Sequence, residues 1–291
     1  MCRFVAYLGP RISLASLLTE PRNSLIRQST HAAERAEPLN GDGFGLAWYD
    51  PEVGVEPGIF RSTTPAWANE NLRDLARMVS SRCLFAHVRA ASQASSVTEL
   101  NCHPFRSGRY AFMHNGDVGG FARIRRALVS GLSDDSFAAI RGSTDSEHLF
   151  ALFLDTLPRR EPHRQPWAPL EPDQLAVSLR ETISRILELT ARHAGGETSD
   201  LNLAVTDGEC IVASRYTDDH DELGESLYVH VGQRYECVDG TCRMVDPETG
   251  GGAVIVSSER LSDDDGWRPI PRNHLAVIHS SGAVRLEPLD T

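Results

Sequence analysis

Apolar positions along this chain recur at two spacings. Cys2 to Leu8 is almost continuously apolar and stops at Gly9-Pro10, which predicts a strand buried on both faces. Ser13 can cap a short helix through Leu18 that Pro21 closes, and the polar stretch Arg22 to Pro38 predicts a loop. Asn40-Gly41-Asp42-Gly43-Phe44-Gly45 follows, with glycines at alternate positions that permit close backbone approach before a strand at Leu46 to Tyr49. Its spacing and the lack of a following helix exclude a dinucleotide fingerprint. Another strand is predicted at Gly58 to Arg61. Leu72, Leu75, Ala76 and Val79 then recur at helical spacing within Trp67 to Val79, and Cys83 to Val88 returns to a continuous apolar run that ends on Arg89.

Asn101 to Phe105 reads as a loop, and Arg109 to Met113 as a strand delivering His114-Asn115-Gly116. A strand stopping at Asn-Gly is by default a hairpin turn, but the next segment, Phe121 to Val129, has helical rather than strand periodicity. Gly142 to Glu147 opens a further helix through Leu157, with Thr144 or Asp145 near its cap. Arg159 to Pro172 reads as a surface connection, and Asp173 to His193 as a long amphipathic helix ended by Gly195-Gly196. Strands follow at Leu201 to Thr206, Cys210 to Arg215, Leu227 to Val231, Ala253 to Ser257, Leu275 to Ile278 and Val284 to Leu286, the first two flanking an Asp207-Gly208 turn. This order predicts an α+β fold: a four-layer αββα sandwich of two antiparallel sheets with helices outside each, in a single domain over residues 2–291.

The formal net charge of -11 repels phosphate backbones, so no nucleic-acid partner is expected. No run of about 18 apolar residues occurs, so no membrane span is expected either. The six cysteines (2, 83, 102, 210, 237, 242) form no framework pattern, and no apolar leader precedes Arg3 and Arg11. The expectation is a cytoplasmic protein with free thiols. Cys237 and Cys242 have no second pair at ligand spacing, so no metal and no cofactor are expected.

The sharpest chemistry is at the start. Removal of Met1 would leave Cys2 with a free α-amine beside its own thiol, a nucleophile and a base on one residue, because an α-amine titrates near ~7.7–8.0. The bland alternative is a buried strand cysteine. Arg89 has the alternative of a rim arginine with a snorkelling head, and Asp145 that of simple helix capping. No Gly-x-Ser-x-Gly elbow, Walker loop or His-Glu-x-x-His occurs.

Met1-Cys2-Arg3, Asp42-Gly43-Phe44-Gly45, Ala86-His87-Val88-Arg89, Asn101-Cys102-His103-Pro104-Phe105, His114-Asn115-Gly116 and Ser143-Thr144-Asp145-Ser146-Glu147 occur in the order seen in class II glutamine amidotransferases. The chain resembles that family, and within it the short branch without a fused synthetase, which holds γ-glutamyl hydrolases and a subunit of a glutathione-degrading complex. Ser62 to Trp67, Glu225-Ser226-Leu227-Tyr228 and Ser257-Ser258-Glu259 continue the likeness to the latter.

The resemblance implies an N-terminal-nucleophile hydrolase fold and a site. Cys2 would attack a γ-glutamyl amide, Asn115 and Gly116 would form the oxyanion hole, Arg89 would clamp the glutamyl α-carboxylate and Asp145 would hold the α-ammonium. His114 and Ser92 would complete the substrate side. Synthetase-linked members carry an aromatic residue after the arginine and a histidine further on, where this chain has Ala90, Ala91, Ser92 and Gln93. The implied activity is therefore hydrolysis of glutathione or a related γ-glutamyl compound through a Cys2 thioester, with a peptidase-like partner subunit. The alternatives are a glutaminase serving a separate synthetase and a non-catalytic regulatory subunit.

Overall fold

A computed structural model of the chain describes residues 2–34, 39–91, 96–158, 168–221, 223–238, 240–246 and 251–290; Met1, Ser92, Gln93 and most of the 159–172 connection lie outside them. The strands are β1 (Arg3–Ser13), β2 (Phe44–Trp48), β3 (Gly58–Ser62), β4 (Ser80–Val88), β5 (Phe105–Ser107), β6 (Tyr110–Asp117), β7 (Asp200–Thr206), β8 (Ile211–Arg215), β9 (Tyr228–Gly232), β10 (Arg234–Val238), β11 (Thr241–Val245), β12 (Ala253–Ser257), β13 (Arg268–Pro269), β14 (His274–Ile278) and β15 (Val284–Pro288). The helices are α1 (Ala15–Leu18), α2 (Leu25–Gln28), α3 (Glu70–Met78), α4 (Phe121–Ser130), α5 (Asp134–Ala138), α6 (Asp145–Thr156) and α7 (Pro172–His193).

One sheet runs in the order β13-β9-β12-β1-β4-β2-β3 and a second in the order β15-β14-β8-β7-β6-β5, while β10 and β11 pair as a separate hairpin. All pairings are antiparallel. Strand alternation in β1 explains its unbroken apolar run: Phe4, Ala6 and Leu8 face the other sheet, whereas Val5 and Tyr7 face the outer layer. The inter-sheet layer holds many small side chains, among them Ala6, Ala47, Ala111, Ala204, Ala213 and Ala276, which let the two sheets approach closely. Outside the second sheet, Phe112, Leu203 and Val212 pack on Ile124, Phe153 and Ile183 of α4, α6 and α7. Outside the first, Val5, Tyr7 and Leu84 pack beneath α1 to α3 and the β10–β11 hairpin. The expected αββα sandwich is thus present.

Two expectations are corrected. The loop predicted at Arg22 to Pro38 contains α2, one helical turn whose cap is the Ser24 hydroxyl accepting from Arg27 N; four residues are too few to show a period. The six thiols are not all free: Cys237 and Cys242 form a disulfide. They are directly opposed in the β10–β11 register, and cross-strand partners are the pairs whose Cβ atoms come near enough to bond. Asp239-Gly240, between Val238 and Thr241, is the sequence signal that could have found this hairpin.

Candidate active site

Antiparallel pairing gathers the sequence motifs at one end of the sandwich. Arg3 registers against Val88, and Phe44 against the same Val88, so Cys2, the Asp42-Gly43 turn and Arg89 share an edge. In the second sheet Asn115 registers against Asn202 at the matching end of β6 and β7. The two edges are joined by His87 Nε2, which donates to the His114 carbonyl at 3.1 Å.

Cys2 is half-buried, and its Sγ donates to the Ala90 carbonyl at 3.6 Å. Burial pushes the thiol above its ordinary value, against that hydrogen bond and the charges of Arg89 and Arg3, which pull it down. A thiol so placed is a poor nucleophile without a base. Arg3 is turned back beneath it, its Nη1 donating to the Cys2 carbonyl at 2.8 Å.

Asn115 follows the parity of Ala111 and Met113, both in the inter-sheet layer, so its amide faces the layer that also holds Phe4. It is 1% exposed, and neither Oδ1 nor Nδ2 has a hydrogen-bond partner among the described residues. An unpartnered buried amide costs about 1–3 kcal/mol, a deficit that a ligand atom can remove. Gly116 has φ +143°, and a Cβ there would run into the Asp200 carbonyl, so no other residue fits.

The Arg89 backbone continues the ladder with Gly43 and Asp42, and both Nη atoms donate to Ser96 O at 3.3 Å. Asn101 holds that segment against the turn before α6: its Nδ2 donates to Ser96 O at 2.9 Å, and its Oδ1 accepts from Ser143 N at 3.0 Å. Thr144, not Asp145, is the N-cap of α6. Asp145 instead accepts from Val118 N at 3.0 Å and Ser146 N at 2.8 Å. Asp117 lies close by, its carboxyl raised by burial first and then by the charge of Asp145. An acidic corner of this kind suits an ammonium group.

His114 has the opposite parity to Asn115 and is turned toward the helices. Its Nδ1 lies 2.9 Å from Ser146 Oγ and its Nε2 3.0 Å from Asp200 O, so its contacts brace the start of α6. Ser92 lies outside the described residues.

Sequence patterns alone point to no role for His87, Asn101, Asp117 or Asn202. His87 and Asn101 sit inside motifs already singled out, and a polar residue within an apolar strand run is the one signal that could have drawn attention to His87. Among the described residues, Glu20, Cys237 and Cys242 are the one group of metal-ligand atoms within 4.8 Å of one another, and its two sulfurs are bonded together. Among the described residues no helix is long and apolar enough to cross a membrane.

The chain is 37% identical over 308 residues to the probable glutamine amidotransferase DUG3 of Saccharomyces cerevisiae, an alignment covering 99% of this chain and 84% of that protein. It is 26% identical over 294 residues to the gamma-glutamyl-hercynylcysteine sulfoxide hydrolase of Mycobacterium tuberculosis, covering 100% and 97% of the two chains. A glutamine aminotransferase class-II domain protein from Silicibacter pomeroyi superposes with a TM-score of 0.66 at 28% identity, covering the whole of both chains. The glutamine phosphoribosylpyrophosphate amidotransferase of B. subtilis, 16% identical with a TM-score of 0.59 over 50% of its length, shares the fold, which is that of the N-terminal-nucleophile hydrolases. The family profile described as glutamine amidotransferases class-II matches residues 25–289, and the chain belongs to that family.

Proposed function

We propose that this protein hydrolyses the γ-glutamyl amide bond of glutathione or a related γ-glutamyl compound through a thioester on Cys2, releasing glutamate. The observation that carries this reading is the buried amide of Asn115, without a partner among the described residues, beside Gly116 at the sandwich edge where Cys2 also lies. The mycobacterial relative is by name a γ-glutamyl hydrolase, and the α-carboxylate and α-ammonium of a glutamyl head match Arg89 and Asp145 in charge.

With Met1 removed, the Cys2 α-amine takes the thiol proton and Sγ bonds to the carbonyl carbon of the γ-glutamyl amide. The charge that develops on the former carbonyl oxygen is held by Asn115 Nδ2 and the Gly116 N–H. The carbon–nitrogen bond then breaks as the α-ammonium returns its proton to the leaving nitrogen. Water, deprotonated by the same amine, adds to the thioester, and the carbon–sulfur bond breaks as the ammonium returns the proton to Sγ, releasing glutamate. His114 serves the site through Ser146, which lies 3.2 Å from Asp145 Oδ1.

A second reading, a glutaminase passing ammonia to a separate synthetase, is favoured by the amidotransferase name of the yeast relative. These residues read only the glutamyl head, so selectivity for the other side of the bond falls to surface loops or to a peptidase-like partner subunit. The deciding experiment assays mature protein, alone and with such a partner co-expressed, on glutathione, glutamine and a γ-glutamyl anilide, measuring glutamate, Cys-Gly and ammonia. Glutamate with Cys-Gly and no ammonia is expected. Stoichiometric ammonia from glutamine with glutathione untouched decides for the second reading.

A further inference from the structure

Two acidic residues in stretches far along the chain converge beneath the first residue of β1. Glu259, just past the end of β12, is 0% exposed, and Glu225, shortly before β9, is 2% exposed. Both face Arg3, itself 2% exposed: Arg3 Nε lies 3.1 Å from Glu259 Oε1, and Arg3 Nη1 lies 3.9 Å from Glu225 Oε2. The same Nη1 donates to the Cys2 carbonyl at 2.8 Å. We infer that Glu259 and Glu225 are positioning residues for the nucleophile, acting through Arg3 on the Cys2 carbonyl; this rests on the reading of Cys2 as the nucleophile.

The physical need is particular to a nucleophile on the first residue. Once Met1 is gone, Cys2 is tethered on one side only, and chain termini fray unless something ties them down. The thiol position is then set by two rotations, about the Cys2 Cα–C bond and about χ1. A hydrogen bond to the Cys2 carbonyl fixes the peptide plane from which both rotations start. Arginine suits the task because its planar fork can hold a carbonyl and a carboxylate at once. A buried guanidinium would be costly without carboxylates to hold it, and here Glu259 is itself held. Glu259 Oε2 accepts from Ala33 N at 2.9 Å and from Asn23 Nδ2 at 3.4 Å.

The next peptide is locked as well. Phe4 N donates to Ser258 Oγ at 3.0 Å and Ser258 N to Phe4 O at 3.0 Å, so the residue beside Glu259 grips the residue beside Arg3. The cluster also reaches the oxyanion strand. Asn202 Nδ2 donates to Glu225 O at 3.1 Å, and Asn202 is the register partner of Asn115. The thiol and the oxyanion donor are thereby referred to one buried framework.

The test uses the full mature chain with Glu259→Gln, Glu225→Gln, Arg3→Met and the Arg3→Met/Glu259→Gln double variant, on whichever γ-glutamyl substrate the wild type turns over. Each Gln variant is expected to keep KM within about twofold and to lower kcat at least about tenfold, since a misplaced reacting group costs rate rather than binding. The double variant is expected to lose no more than Arg3→Met alone, because both changes cut one path. Alkylation of Cys2 by iodoacetamide, followed by mass analysis of the N-terminal peptide, is expected to quicken at least about threefold as the loosened thiol leaves the burial that raises it.

Unchanged kcat in both Gln variants, or losses that simply add in the double variant, overturns the inference. If Glu259→Gln does not fold, Glu225→Gln decides, since it leaves the contacts of Glu259 with Asn23 and Ala33 intact. Cys2→Ala separates the two claims. Residual turnover in that variant overturns Cys2 as the nucleophile, whereas full dependence on Cys2 with normal Gln variants overturns only the positioning pair.

Discussion

His87 Nε2 donates to the carbonyl of His114 across 3.1 Å, and this bond ties the first sheet to the second one residue before Asn115. The donor must keep a proton on Nε2, and a neutral ring does so at the least cost in a buried layer. Burial, with smaller contributions from Arg89 and His114, lowers His87 from 6.5 to about 3 against the pull of its own hydrogen bond. The His103 ring, 4.2 Å away, is likewise pushed well below its ordinary value by burial.

Acid stability follows from that shift. An unfolded chain protonates this ring below its ordinary value of 6.5, while the folded one does so only near 3, so the contribution is whole above 6.5 and is lost as pH falls from there toward 3. The slope is at most about 1.4 kcal/mol per pH unit for each such histidine. His87→Gln keeps a donor for His114 O without the titration, and urea midpoints measured from neutral pH down to about 4 are expected to fall less steeply than in wild type. Identical slopes would show that His87 is not a source of the dependence.

The proposed mechanism requires Cys2 to be the first residue. Its thiol is raised by burial, so it needs a base, and an α-amine serves only when it is not part of an amide. Intact-mass measurement is expected to find Met1 removed, and a protein carrying an uncleaved N-terminal tag is expected to be inert. Activity in the tagged protein would rule this mechanism out.

Asn115→Ala removes an amide with no partner among the described residues, so the fold is expected to survive with little loss of stability. The rate is a different matter: kcat should fall by roughly 10²–10³, the usual effect of deleting one oxyanion donor. Thermal unfolding and steady-state kinetics on the same preparation check both halves. Unchanged kcat with a raised KM would make Asn115 a binding residue only.

Asp145→Asn weakens two kinds of contact. The carboxylate accepts from Val118 N and Ser146 N, so about 1 kcal/mol of stability is at stake there. A charge-assisted bond to a substrate α-ammonium is worth about 1.5–3 kcal/mol, and KM should rise by roughly ten- to a hundredfold. Substrates lacking the α-amine should show no such rise. Equal losses for both substrate types would assign Asp145 to holding the start of α6.

How much of this protein the sequence by itself determined depends on the range over which each property is encoded. Periodicity is local, and it was enough for the buried runs of β1 and β4, for α4, α6 and α7, and for the αββα order. Motifs single out Cys2, Arg89, Asn115, Gly116 and Asp145 in the sequence, and these residues fall toward one end of the sandwich because the ends of antiparallel strands meet. Which partner each residue finds was not legible. Arg3 takes carboxylates from positions 225 and 259, and His87 crosses to His114. The facing of His114 depends on strand parity carried through to Gly116, beyond Met113, where the apolar pattern ends. These are matters of register and of pairing between distant segments, set by how whole sheets pack, and only the tertiary structure decided them.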